Sequence, residues 1–267
     1  MRTMRSCAAR PRRAAIAAAV STTALLCAAP SALAAQAPPP AAATPSQVAT
    51  SAAAAPAVVV GGPAVRPASV ATTPWRSVAR PTVRQGSHGA AVVALQDRLT
   101  ALHYDVGPVD GDFGTSTLHG VYAFRKVQGL HLDGIVGPRT WAALATPRVP
   151  QPRHTLTASA VEIDLARRVV YLTKNGAVTR IVDASPGKAS TPTPTGAFTI
   201  TRRIDGWRRS PLGLLWRPNY FHEGYALHGS TSVPTYAASH GCVRVTVPAM
   251  NRLWPKLFVG EHLWVYR

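Results

Sequence analysis

The chain has 267 residues, with 29 lysines and arginines against 11 aspartates and glutamates, a formal charge of +18 at pH 7. That length admits more than one small domain, and so large a positive excess attracts polyanions at long range. The arginines are scattered and form no dense stripe with interleaved aromatics, so nucleic acid is not expected as a partner.

Residues 1–35 read as an export signal. Arg2, Arg5, Arg10, Arg12 and Arg13 make a basic start, an apolar run covers 14–29, and Ala32-Leu33-Ala34 offers the small residues of a cleavage site. The run is short and broken by Ser21, Thr22 and Thr23, so cleavage is expected and no stable membrane span after it. Leu25-Leu26 places bulky side chains before Cys27, which argues against lipidation there. Without its first 35 residues the chain still carries about +13, on a secreted, extracytoplasmic protein. Such a charge serves either a solubilising basic surface or electrostatic contact with anionic wall polymers.

Residues 36–80 form an Ala/Pro-rich linker. It has no acids up to residue 74 and no sustained helical or strand period, so it cannot bury enough apolar surface to offset chain entropy. It is expected to be disordered, either as a spacer or as a passive tail.

Residues 81–147 read as a small three-helix unit. Val92, Leu95, Leu99 and Leu102 fall at helical spacing, as do Leu118, Val121 and Phe124, while Pro138 opens a third helix carrying Trp141 and Leu144. Asp110-Gly111 and Asp133-Gly134 are turn dipeptides between them. Gln85-Gly86-Ser87-His88-Gly89, Leu95-Gln96, Asp110-Gly111-Asp112-Phe113-Gly114, Gly129-Leu130 and Asp133-Gly134-Ile135-Val136-Gly137-Pro138-Arg139-Thr140-Trp141 closely resemble a peptidoglycan-binding domain. The resemblance implies targeting to peptidoglycan. Arg125 departs from it, since the family usually has glutamine after the phenylalanine; the change is expected to alter a wall contact and not the fold.

From about residue 155 to 267 the period changes. Val161, Ile163 and Leu165 alternate with polar or small residues, 169–173 follows, and Asn175-Gly176 is a hairpin signal leading into 177–184. Residues 196–201 give another strand, 248–257 one short helix and 261–266 a closing strand, a mainly β domain of about 110 residues.

The chemistry concentrates on Cys242, which is the single cysteine left once Cys7 and Cys27 go with the signal. An unpaired thiol in an exported protein is buried, joined to another chain, or used as a nucleophile. In Cys242-Val243-Arg244-Val245-Thr246-Val247 the valines share one parity, so they face the core and Cys242 and Arg244 the other side. Gly241 permits close approach of the backbone to a ligand, and amides near such a turn are donors for an oxyanion. His228 ends a strand-like run fourteen residues earlier. If the two segments pair, its imidazole meets the sulfur as base or as imidazolium beside a thiolate, with the carbonyl of Gly229 orienting the other ring nitrogen. His240 competes for that role or serves substrate and oxyanion contacts.

His228-Gly229 followed by Ser239-His240-Gly241-Cys242-Val243-Arg244 resembles the active-site signature of the YkuD-type L,D-transpeptidases, and Thr193-Pro194-Thr195-Gly196-Ala197-Phe198 resembles the family's other recurrent segment. The resemblance implies a multidomain protein whose second domain, 155–267, is a YkuD-like β-sandwich with a short helix. It also implies an acyltransferase that cross-links peptidoglycan stem peptides through a cysteine thioester, without metal or other cofactor. By that resemblance Cys242 is the nucleophile, His228 the proton donor and acceptor, and His240, Gly241 and Cys242 the oxyanion surroundings. Ser239 and Arg244 support them, although many members carry asparagine at the position of Arg244. Water as acceptor would make the protein an L,D-carboxypeptidase instead, and a non-catalytic protein binding stem peptides and glycan is the rival from another class.

Other candidates carry less. His222-Glu223 with His228 lacks the spacing of a zinc helix, and Asp183, Asp205 and Glu223 show no pairing for glycoside hydrolysis. Trp216, Tyr220 and Phe221 line a substrate groove or pack an edge, and Arg202, Arg203, Arg208 and Arg209 read as a solvated loop face.

Overall fold

A computed structural model describes residues 79–267, so the signal expected at 1–35 and all but the end of the linker expected at 36–80 lie outside the described residues. Three helices come first: α1 (Ala90–Ala101), α2 (Thr115–Gln128) and α3 (Pro138–Ala145). The punctuation read from the sequence sits where the backbone requires it. Gly129 closes α2 in the left-handed conformation and Pro138 opens α3. Arg125 does not reach the surface where a wall contact would be made. It is 5% exposed, pairs with Asp133 and donates to the carbonyl of Ile135 at 2.6 Å, so its charge staples the turn between α2 and α3 from within.

Ten strands follow, interrupted by one helix. They are β1 (Ser159–Asp164), β2 (Val169–Lys174), β3 (Ala177–Asp183), β4 (Gly196–Thr199), β5 (Arg202–Arg203), β6 (Trp207–Ser210), β7 (Gly213–His222), β8 (Tyr225–Ser230), β9 (Val243–Thr246) and β10 (His262–Tyr266), with α4 (Val247–Leu253) between the last two. One sheet has the order β3-β2-β1-β10-β4; the other runs β5-β7-β8-β9, with β6 on β7. Between the sheets, Val161, Leu172, Leu263 and Val265 meet Phe221, Leu227, Val243 and Val245, with Met250 and Leu253 of α4 closing the core. Asn175-Gly176 makes the expected hairpin turn, both residues at positive φ, between Lys174 and Ala177.

Two sequence expectations change. The arginines taken for a solvated loop lie on strands, Arg202 and Arg203 in β5 and Arg208 and Arg209 in β6. Pro218 and the register shift between Trp216 and Asn219, with Arg217 at φ 47°, hide β7 from a period-2 reading. The first sheet is also covered on both faces, so five consecutive residues of β2 are buried instead of alternating. Its outer side chains Val169, Tyr171, Val178 and Ile181 belong to the core of the helical unit, with Leu95, Leu99, Phe124 and Leu144.

The contact is reinforced at the sheet edge. Asp105 donates its N–H to the carbonyl of Ile181 at 2.9 Å, and Ile181 donates to that of His103 at 2.8 Å, which covers the free edge of β3. The Asp105 carboxylate, 2% exposed, pairs with Arg180 of β3 and accepts two bonds from Arg252 of α4 at 2.9 and 2.7 Å. Asp105→Ala leaves two guanidinium groups facing each other without a counter-charge. It should lower stability by about 3 kcal/mol in urea unfolding.

Candidate active site

Strands β8 and β9 are parallel, with Leu227 opposite Val243 and His228 opposite Arg244. Paired residues point to the same face, so Val243 and Val245 enter the core while His228 and Arg244 share the other side. Cys242 lies in the bend just before β9 and not within the strand as read from sequence, yet it keeps the parity of Arg244. His228 and Cys242 thus line one cleft of about 710 Å³, together with Ser239, His240, Arg244, Tyr220 and, from the β6–β7 hairpin, Arg208 and residues 210–215.

His228 is 4% exposed, and its Nδ1 lies 2.9 Å from the carbonyl oxygen of Gly229. A carbonyl only accepts, so Nδ1 carries the proton and the neutral ring keeps the Nε2 lone pair free. Burial pushes the His228 pKa down to about 4, against the bond to Gly229 and with a smaller push from Arg244. Burial also pushes the Cys242 thiol up. Cys242 is a free cysteine, its Sγ 3.9 Å from the Gly224 carbonyl. Burial therefore favours the neutral form of each group, a thiol and an imidazole that line the same cleft.

The turn before Cys242 is fixed from inside. Ser239, 1% exposed, accepts the Gly241 N–H on its Oγ at 3.0 Å and donates its hydroxyl to the Cys242 carbonyl. The Gly241 amide is thus occupied, and Gly241 gives the turn its backbone shape. It sits at φ 114°, and a Cβ there would lie 2.1 Å from Cε1 of Tyr225. Gly229 is also confined, between Trp216 and Met250.

Of the expected substrate contacts, Tyr220 lines the cleft, with the Arg202 guanidinium 4.2 Å above its ring. Trp216 does not. The bulge turns its indole toward α4, where Nε1–H donates to Asn251 at 2.7 Å, and Phe221 is core. Sequence reasoning missed Gly187, Ser185 and Lys188, which grip the turn from the segment after β3. Thr193 was quoted only as part of a recurrent segment; its hydroxyl donates to the Gly241 carbonyl at 2.8 Å and accepts from Gly187 N–H at 2.9 Å. No local signal marks Gly187, whose added Cβ would meet the Gly241 Cα at 2.9 Å. Among the described residues no group of His, Cys, Asp or Glu side chains is arranged to hold a metal ion.

The profile of the YkuD family, the L,D-transpeptidase catalytic domain, matches residues 158–265, and that of the putative peptidoglycan-binding domain matches 88–144. A crystal structure of the L,D-transpeptidase (residues 123–326) of Xylanimonas cellulosilytica DSM 15894 is 43% identical, with a TM-score of 0.66, over 71% of this chain and 99% of that one. The chain belongs to the L,D-transpeptidase family. An uncharacterized protein in the bpoA1 3' region of Kitasatospora aureofaciens is 46% identical over 83 residues, 29% of this chain and 70% of its own. A probable N-acetylmuramoyl-L-alanine amidase of Bacillus licheniformis is 32% identical over 88 residues, 32% of this chain and 25% of the amidase.

Two outcomes follow from the site's geometry. Gly241→Ala, strained at its φ and clashing with Tyr225, should cost about 2 kcal/mol or more in urea unfolding. The buried ring of His228 makes stability pH-dependent with a defined sign. An unfolded histidine takes up its proton near pH 6.5 and the folded one near 4, so the stability held by the neutral ring is complete above about 6.5 and is lost as pH falls toward 4. About 3 kcal/mol of acid-side loss should vanish in His228→Gln, read as a flatter slope in urea unfolding between pH 7 and 4.5.

Proposed function

We propose that the protein is an exported enzyme that forms 3,3 cross-links between peptidoglycan stem peptides through a thioester on Cys242. The observation that carries this is the pairing of β8 with β9, which puts the neutral, Gly229-oriented imidazole of His228 and the thiol of Cys242 on one face of one cleft. His228 Nε2 takes the thiol proton as Sγ attacks the carbonyl between the diaminopimelate centre and the terminal D-Ala of a donor stem. The amides of His240 and Cys242 receive the oxyanion. The imidazolium then protonates the leaving D-Ala amine, and the thioester remains. A side-chain amine of a second stem gives up a proton to His228 as it attacks, which forms the new amide and frees the thiol.

The walls of the cleft suit such a donor. Among the described residues Arg202, Arg208 and Arg244 line it and no aspartate or glutamate does, so its field favours a peptide rich in free carboxylates. The peptidoglycan-binding domain brings glycan and stems to the same molecule, and the positive excess of the chain supports contact with anionic wall polymers outside the cytoplasm. No helix among the described residues is long and apolar enough to cross a membrane.

Intact-mass analysis after incubation with a carbapenem should show one adduct, located on Cys242 and absent from Cys242→Ala. His228→Ala should slow its formation by about 10²–10⁴-fold. Digestion of treated sacculi should yield 3,3-linked muropeptides; shortened stems without cross-links would make the enzyme a carboxypeptidase, and a wild-type protein without adduct would remove the thioester reading.

A further inference from the structure

The peptidoglycan-binding module donates a buried lysine to the interior of the catalytic module. Lys126 stands in the last turn of α2, next to Arg125, yet its side chain is 1% exposed. Its three N–H bonds have three acceptors: Asp183 Oδ1 at 2.6 Å, the Ala184 carbonyl at 3.0 Å and the Arg168 carbonyl at 3.2 Å. The other carboxylate oxygen of Asp183 is 2.6 Å from Nδ1 of His119, which lies seven residues earlier on the same helix face. A buried ion pair of this kind adds little net stability over an apolar pair of the same volume. What it supplies is geometry, because one ammonium fixes a carboxylate and two backbone carbonyls together.

Both carbonyls lead directly to the nucleophile turn. After Ala184, the N–H of Ser185 donates to the Arg244 carbonyl at 2.9 Å and that of Arg244 returns to Ser185 at 3.0 Å. The Pro186 carbonyl accepts from the amides of Ala238 and Ser239, and Lys188 donates to the Ser239 carbonyl, each at 3.0 Å. Arg168 makes the second route. Its carbonyl is held by Lys126, its backbone sits at φ 57°, and its Nε donates at 3.0 Å to the carbonyl of Thr235, in the connection that ends at Ser239.

We propose that Lys126 is a positioning residue for the nucleophile turn, so that the wall-binding module is part of the catalytic framework and not a detachable anchor. The proposal rests on reading Cys242 as the nucleophile. It acts through Asp183, Ala184 and Arg168 on the turn 239–242, and through that turn on the approach of Cys242 to His228.

The test uses the full chain with Lys126→Met and, separately, Arg168→Met. Four quantities are read: the rate of carbapenem acylation at Cys242, hydrogen exchange of the Gly241 and Arg244 amides, retention on sacculi, and the folded fraction by near-ultraviolet circular dichroism. Lys126→Met should stay folded and bind sacculi as before, acylate at least about tenfold more slowly, and exchange Gly241 and Arg244 about tenfold faster. Arg168→Met should shift both readings the same way by a smaller factor. Wild-type acylation and exchange in folded Lys126→Met overturns the proposal, as does faster exchange spread evenly over β1, β2 and β10, the mark of a general loss of stability. If Lys126→Met does not fold, Arg168→Met decides, and wild-type values there overturn it. A wild-type protein that fails to acylate sinks the nucleophile reading alone, because the exchange rates still report on the turn.

Discussion

The candidate site depends on a backbone clamp. Residues 185–188 pair with 238–244 through the reciprocal Ser185–Arg244 bonds and the Pro186 carbonyl, and Gly187 lets the two backbones touch at Gly241. Thr193 closes the loop by bridging Gly187 to the Gly241 carbonyl. The bend needs one residue at φ 114°, which Gly241 adopts because it has no Cβ. It persists because hydrogen bonds on both flanks over-determine it, and Ser239 fills its interior by taking one amide and capping one carbonyl.

The same packing sets the electrostatics. His228 is buried against its own strand and Cys242 is mostly enclosed, so burial holds both in their neutral forms. The formal charges that line this cleft are those of Arg202, Arg208 and Arg244. In the proposed reaction the proton moves from sulfur to imidazole as an incoming carbonyl takes up the developing charge. Under the proposed chemistry this restrains the thiol until a donor stem is seated, and the arginines favour the seating of a carboxylate-bearing one.

Much of this was legible in the chain because it rests on short-range rules. The parity of Cys242, Val243 and Arg244 follows from a period of two, and the Asn175-Gly176 turn from the positive φ that those residues tolerate. What could not be read depends on distant partners. Pro218 and Arg217 break the period of β7, and pairing with β5, β6 and β8 makes it a strand. Trp216 and Tyr220 carry the same local signal for a groove, yet the bulge between them sends one toward α4 and the other into the cleft. Lys126 beside Arg125 looks like a solvated helix end, and each is buried by a different partner, one across the module boundary and one within the turn.

The two-sided burial of the first sheet joins these observations. A helical unit of about 60 residues has little interior of its own, and here Val169, Tyr171, Val178 and Ile181 complete it from outside. Those side chains belong to β2 and β3, whose opposite faces pack Val170, Leu172 and Val182 into the core beneath β8 and β9. One pair of strands therefore serves two cores, and a shift of either strand is resisted from both sides. Beyond Asp183, β3 runs straight into the clamp at Ser185. The helical unit, in completing its own core, thereby fixes the strand from which the turn at 239–242 is held.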